Sequence, residues 1–264
     1  MAKEKNPAFA KFLKDVSNSS ASCLITQIPQ VYGLLLDDNS WSLNMRLRSY
    51  IWPDNLPHNL KCQCGQSVTP THLLNCNRFI SFDSVRDQLY CMCKSYGIVS
   101  FLEPVLAGLF DDTDIDKTFG NSRGDVIFPG LDGSFIIADV MSIDVCNDFN
   151  KKLAKSNAKN PLLIGEKFKI QKYCAKLKLL NSASHSNYLL YPFVFSLYGS
   201  LGESATSLLE ISLRSLKEVC SPYHYVSVNC RSNLSTIMKA WTLTIVLAWL
   251  KSRVPFFVLF ERHF

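Results

Sequence analysis

Cys62, Cys64, His72 and Cys76 stand in the pattern C-x-C-x7-H-x3-C, three thiols and an imidazole close together in the chain. Zinc favours a closed tetrahedron of thiolate and imidazole, and ligands this near in sequence keep the cost of loop closure low. Gly65 directly after the cysteine pair permits the tight turn that brings two sulfurs onto one ion. His72 and Cys76 are one helical turn apart, so a short helix starting near Pro70 and Thr71 presents both on one face. The alternative is coincidence, since the chain has ten cysteines. His58 is a competing ligand at poorer spacing. Cys91 and Cys93 form a second close pair with no histidine nearby and read as thiols buried in a helix.

A second chemical group lies further along. Asp125 opens an apolar stretch, GDVIF, and Asp139 sits inside another, FIIADVM. If PGLDG (129–133) is the loop of a hairpin, Asp125 is opposite Ile137, and Asp139 is two residues beyond that partner on the same face. Two carboxylates so placed converge on a hard divalent cation; a one-residue slip would separate them. An unpaired carboxylate in apolar surroundings costs several kcal/mol, so Asp139 needs a cation, whereas Asp132 and Asp144 suit the plainer role of capping a turn. Between Lys151 and Lys178 the chain carries many lysines and one acid, Glu166. A helix is expected over about 161–181. Its apolar face would be Leu163, Ile170, Cys174 and Leu177; Lys169, Lys172 and Lys176 lie opposite, with Glu166 and Tyr173 between. Such a one-signed face suits a phosphate backbone, or is simply solvated surface.

The elements that must position these groups follow from the pattern. Residues 1–22 read as a flexible N-terminal segment with no apolar leader. Residues 23–78 hold a connector, a short helix near 40–50 and the knuckle. Residues 79–264 form the larger domain. Within it we expect a helical stretch over 79–110, an acidic boundary at 111–124, two strands (124–128 and 134–144), a polar excursion at 151–160, the lysine helix, a buried strand at 188–199 and a helix at 203–219. The fold class is α/β, a mixed sheet flanked by helices behind a small zinc knuckle. Apolar residues make up 47% of 264 and the net charge is +6, which suits a folded domain and is compatible with a polyanionic partner. The runs at 241–250 and 254–260 imitate a membrane span, but Lys251 and Arg253 divide them and each falls short of the ~20 residues a bilayer needs. The remaining cysteines (Cys23, Cys146, Cys174, Cys220, Cys230) read as buried thiols of a reducing compartment. LLLDD (34–38) imitates a polymerase aspartate pair, but too little chain surrounds it to build a polymerase domain.

Taken in order, these features resemble the C-terminal region of non-LTR retrotransposon polyproteins that use a restriction-like endonuclease. There a cysteine-histidine knuckle precedes a nuclease of the PD-(D/E)XK type. QIPQVYGLLLDDNSWSLNMRLRSYIWP resembles the family's connector, and Arg123-Gly124-Asp125 its Arg-Pro-Asp. Asp139-Val140 resembles the second acidic strand. Glu166, Lys169, Lys172 and Tyr173 match the helix bearing Lys-x-x-Lys-Tyr, and YPFVFSLYGSLGESATSLLE matches the strand, turn and helix that follow. Gly124 departs from the family's proline, and Met141 stands where a standard strand carries lysine, leaving Lys169 or Lys172 to supply it. The resemblance implies a DNA-nicking endonuclease for target-primed insertion. Asp125 and Asp139 would hold Mg²⁺ or Mn²⁺; Lys169, Lys172, Tyr173 and Glu166 would complete the catalytic group. Structural Zn²⁺ would sit on Cys62, Cys64, His72 and Cys76. Arg123, Lys176, Arg46, Arg48, Lys61 and Arg78 would bind nucleic acid. DNA is the expected partner, with RNA second, beside a reverse transcriptase on the same or another chain, in the nucleus and away from membranes. The rival reading is a catalytically inactive nucleic-acid-binding protein derived from such an element.

Overall fold

The computed structural model describes residues 15, 17, 61–62, 64–69, 72, 76, 83–95, 97–106, 122–130, 132–145, 160–183 and 186–219, with residues 95, 183 and 213–219 described by backbone alone. The connector and short helix of 23–53, the excursion at 151–159, the C-terminal apolar runs, and Arg46, Arg48, His58, Arg78, Cys23, Cys146, Cys220 and Cys230 lie outside the described residues.

The described elements run α1 (Asp83–Ser95), β1 (Phe101–Leu102), β2 (Val126–Pro129), β3 (Phe135–Ile143), α2 (Pro161–Ala183), β4 (Tyr188–Ser196) and α3 (Glu203–Val219). The chain is thus mixed α/β, with a four-stranded sheet in the order β1-β2-β3-β4. The first three strands are antiparallel; β3 and β4 are parallel, with α2 as the crossover between them. Buried on both faces, β3 and β4 read as nearly unbroken apolar runs.

Helix α1 is shorter than its sequence pattern suggests. Gly97 takes a positive φ of 75° and its N–H reaches Lys94 O at 3.0 Å, while Ile98 N–H reaches Cys93 O at 2.9 Å. This paired cap closes the helix and frees β1. The expected helix over 79–110 is therefore corrected: a strand stands at 101–102.

The β2–β3 hairpin also differs from expectation. Pro129 pairs with Phe135 and Ile127 with Ile137, so the loop is 130–134. Asp132 Oδ1 accepts the Ser134 N–H at 3.0 Å and its hydroxyl at 2.5 Å, and Gly133 supplies the positive φ of 77°. One step past Val126↔Ala138 brings Asp125 abreast of Asp139, not of Ile137. The displacement is two residues, so the parity survives and both carboxylates keep the same side.

Helix α2 starts on Asn160, whose Oδ1 accepts the Leu162 N–H at 3.0 Å with Pro161 in the first turn. It covers the β3 face that carries Ile137, Asp139, Met141 and Ile143: Tyr173 and Leu180 pack with Ile127, Ile137 and Tyr188, and Leu162 packs with Ile143 and Val194. Gly165 is the point of closest approach; a Cβ there would lie 2.3 Å from Ile143 Cδ1. The helix is turned from its expected phase. Ile170 (45% exposed), Phe168 and Cys174 face outward, whereas Gly165, Glu166, Tyr173 and Leu180 are buried. Cys174 is thus not a buried thiol. The cause is polar: Asp139 lies in that sheet face, and turning Lys169 and Tyr173 inward is what satisfies it.

Candidate functional site

Asp139, only 4% exposed, sits on the α2-facing side of β3. Lys169 Nζ pairs with its Oδ2 and lies 3.3 Å from Val140 O. The Tyr173 hydroxyl lies 3.0 Å from Asp139 Oδ1 and 3.0 Å from Arg123 O. Both are acceptors, so the phenol's single proton is shared between them. Lys169 and Tyr173 are one turn apart on α2, which is why one helix face delivers an ammonium and a hydroxyl to one carboxylate.

Asp125, the residue just before β2, reaches the same place from the neighbouring chain segment. The ladder is irregular here. Asp125 N–H goes to Ala138 O at 3.1 Å, its O accepts Glu103 N–H at 2.9 Å, and its Oδ2 accepts Val140 N–H at 2.5 Å. Burial raises the Asp125 pKa and the Asp139 charge adds to the rise, against the Val140 N–H, Lys169 and Arg86. The Tyr173 phenol is raised as well, by burial first and then by Asp139, so it stays a proton donor. Two carboxylates facing one ammonium leave a local excess of negative charge. Asp139 Oδ2 makes no well-aligned hydrogen bond in addition to its ionic contact. A small divalent cation would relieve both conditions.

Around this pair the cations are graded by exposure. Lys172 is exposed and its Nζ stands 4.9 Å over the Tyr173 ring. Lys176 Nζ bonds Ser122 Oγ next to Arg123, whose side chain is half exposed. Glu166 is placed elsewhere. It is 3% exposed and its Oε1 accepts the Ser204 N–H at 2.8 Å, in the first turn of α3. Gly202, with no side chain of its own, leaves the room: a Cβ there would come within 2.2 Å of Glu166 Oε1. Glu166 caps α3 and is not gathered with Asp125 and Asp139.

A comparison of the chain with protein-family models gives no match, and a comparison with curated proteins gives none either.

The thiol cluster is assembled as its spacing indicates. The ligand atoms of Cys62, Cys64, His72 and Cys76 all lie within 4.8 Å of one another, an arrangement that could hold a metal such as zinc. Cys62 and Cys76 Sγ are 3.6 Å apart, and Cys64 Sγ is 3.4 Å from His72 Nε2. Gly65 turns the chain with a φ of 84°, its N–H bonding Cys62 O at 2.8 Å. Thr69 Oγ1 accepts the His72 N–H at 3.0 Å, and Cys76 N–H closes a helical bond to His72 O at 2.8 Å. A hydrogen bond from the Gln66 backbone lowers the Cys64 thiol pKa, and burial lowers that of His72. Both shifts favour the forms that bind metal. Lys61 is exposed beside the cluster, bridging backbone-to-backbone with Ser67. Of the second cysteine pair, Cys93 is fully buried, which pushes its thiol up to about 12, while Cys91 is exposed.

Sequence reasoning missed two residues beside the acidic pair. Glu103 takes a φ of 46°, the only positive φ of a non-glycine among the described residues, and its carboxylate pairs with Arg86 and with Arg123. Arg86 also pairs with Asp83 at 3.0 Å and Asp87 at 2.7 Å. Glu103-Pro104 at the close of a short strand was the available signal, hidden by reading the stretch as helix. No described helix is long and apolar enough to cross a membrane.

Proposed function

We propose that the chain is a metal-dependent endodeoxyribonuclease domain of retroelement origin, with a zinc knuckle in front of a restriction-like nuclease core. One observation carries the reading: Asp125, just before β2, and Asp139, on β3, meet Lys169 and Tyr173 from one helix face. The mixed sheet flanked by helices, with a Cys3His cluster earlier in the chain, supports it further.

Asp125 and Asp139 would hold Mg²⁺ or Mn²⁺. When bound, that ion supplies Lewis-acid polarisation of the phosphate and a water of lowered pKa. Lys169, held against Asp139 and Val140 O, would neutralise charge developing on a phosphate oxygen; its contact with Asp139 supports giving it the lysine's role over the outward-facing Lys172. Tyr173 fixes the Asp139 carboxylate and ties it to the Arg123 backbone at the start of the opposite strand. Lys172, Lys176 and Arg123 would track the DNA backbone. Glu166 positions α3 and has no chemical step.

The test is conversion of supercoiled plasmid to open circle with Mg²⁺ or Mn²⁺. Wild type is expected to nick, and Asp139→Ala to lose nicking while retaining DNA binding. DNA binding with no nicking in either protein would favour the inactive nucleic-acid-binding reading instead.

A further inference from the structure

Arg123 has a feature that the catalytic reading leaves unused: its guanidinium already faces a carboxylate. Arg123 Nη1 lies 3.6 Å from Glu103 Oε2, with the two side chains 54% and 40% exposed. The other oxygen, Oε1, is held tightly by Arg86. Arg86 in turn is enclosed by Asp83 and Asp87 and is only 14% exposed. The two contacts are therefore unequal. Arg86 is saturated by three acids and anchors Glu103; the Arg123 contact is long, wet and easily exchanged.

The backbone keeps Glu103 in this position. Its φ of 46° is unfavourable for a residue with a Cβ, and it immediately precedes Pro104. Its N–H is bonded to the backbone oxygen of Asp125 at 2.9 Å, so the strained residue is tied to the main chain that carries one of the two site carboxylates. Strain of this kind persists only where the surroundings over-determine it.

We propose that Glu103 is an internal competitor for the nucleic-acid phosphate. Its carboxylate holds Arg123 beside the acidic pair, and a backbone phosphate must take the guanidinium from it. Carboxylate and phosphate present the same acceptor geometry to a guanidinium, which makes the exchange chemically direct. Arg86 does not transfer, because Asp83 and Asp87 remain around it. The consequence is an Arg123 kept in place for DNA, at a cost in affinity that discourages binding where no second phosphate contact compensates. This deepens the nuclease reading and rests on it only for the identity of the polyanion.

The experiment is a double-mutant cycle on binding of a short DNA duplex by the zinc-loaded protein, read by fluorescence anisotropy at low salt with no Mg²⁺ or Mn²⁺ added, so that no cleavage is involved. Glu103→Gln keeps the shape and removes the competing charge; it should tighten binding roughly two- to five-fold. Arg123→Ala should weaken binding, and adding Glu103→Gln in that background should have no further effect. Equal tightening in both backgrounds would show that Glu103 acts only as a nearby negative charge, and would overturn the proposal. So would unchanged or weaker binding by Glu103→Gln, provided that its thermal unfolding matches wild type. If Gln at this φ unfolds early, Glu103→Asn, better suited to the left-handed region, replaces it. The plasmid assay is separate: a protein that never nicks can still pass or fail this cycle.

Discussion

Burial holds the Glu166 carboxyl above its ordinary range; the Ser204 N–H pulls the other way and the Glu203 charge adds to the rise. The native state therefore binds this proton more tightly than the unfolded chain, and stability falls as pH rises from the ordinary glutamate value through the raised one. Glu166→Gln should abolish that dependence and, because an amide oxygen still accepts from Ser204, should melt at or above wild type at neutral pH, by up to a few degrees. Thermal melts of both proteins across pH 4–8 measure this, and a neutral-pH loss of many degrees would contradict it. Tyr173→Phe removes a donor from a buried carboxylate and should cost about 1–3 kcal/mol in urea unfolding, with the ring packing kept. At this scale Asp125, Asp139 and the knuckle ligands were legible, because a carboxylate within an apolar run and thiols beside a histidine are unusual enough to need a reason. Glu103 and Arg86 were not, because their meeting depends on a strand that the local pattern conceals.

The elements explain where reading by period succeeds and where it does not. For β3 and β4 the apolar runs were enough, as strands buried on both faces have no alternation to misread. The hairpin register was displaced by two residues because Asp132 builds the turn one residue later than PGLDG alone suggests. For α2 the apolar pattern was right in part: Leu177 packs against the core, but Ile170 and Cys174 face outward, because the sheet opposite carries Asp139 and an uncompensated buried charge outweighs the burial of one isoleucine. Gly165 fixes how close the helix lies. Gly165→Ala should cost about 1–3 kcal/mol by pressing on Ile143 and Val194, and should shift Lys169 and Tyr173 with the helix. Urea unfolding checks the first effect. An alanine variant as stable as wild type would mean that the contact gives way freely.

Among the described residues of the whole molecule, a soft Cys3His set precedes α1 and two hard carboxylates lie at the sheet, and the proposed function gives these two donor sets different metals. The connection between sequence and architecture is clearest here, since the resemblance implied a knuckle before a mixed sheet, and a Cys3His cluster precedes that sheet in the chain. In the segment expected to be flexible at 1–22, Asp15 is held: Ser196 and Ser200 donate to it from their hydroxyls, the latter to its backbone oxygen at 2.7 Å. No local pattern could foretell a contact so distant in sequence. Intact-protein mass spectrometry should find one zinc per chain, absent from Cys64→Ser, with α2 and the sheet still folded by circular dichroism. The central claim is that Asp125 and Asp139 cradle a hard cation beside Lys169. Its most direct measurement is Mn²⁺ titration followed by electron paramagnetic resonance on wild type, Asp139→Asn and Cys64→Ser. Wild type and Cys64→Ser should bind the ion alike, and Asp139→Asn at least roughly tenfold more weakly. Equal Mn²⁺ binding by Asp139→Asn and wild type would contradict the account.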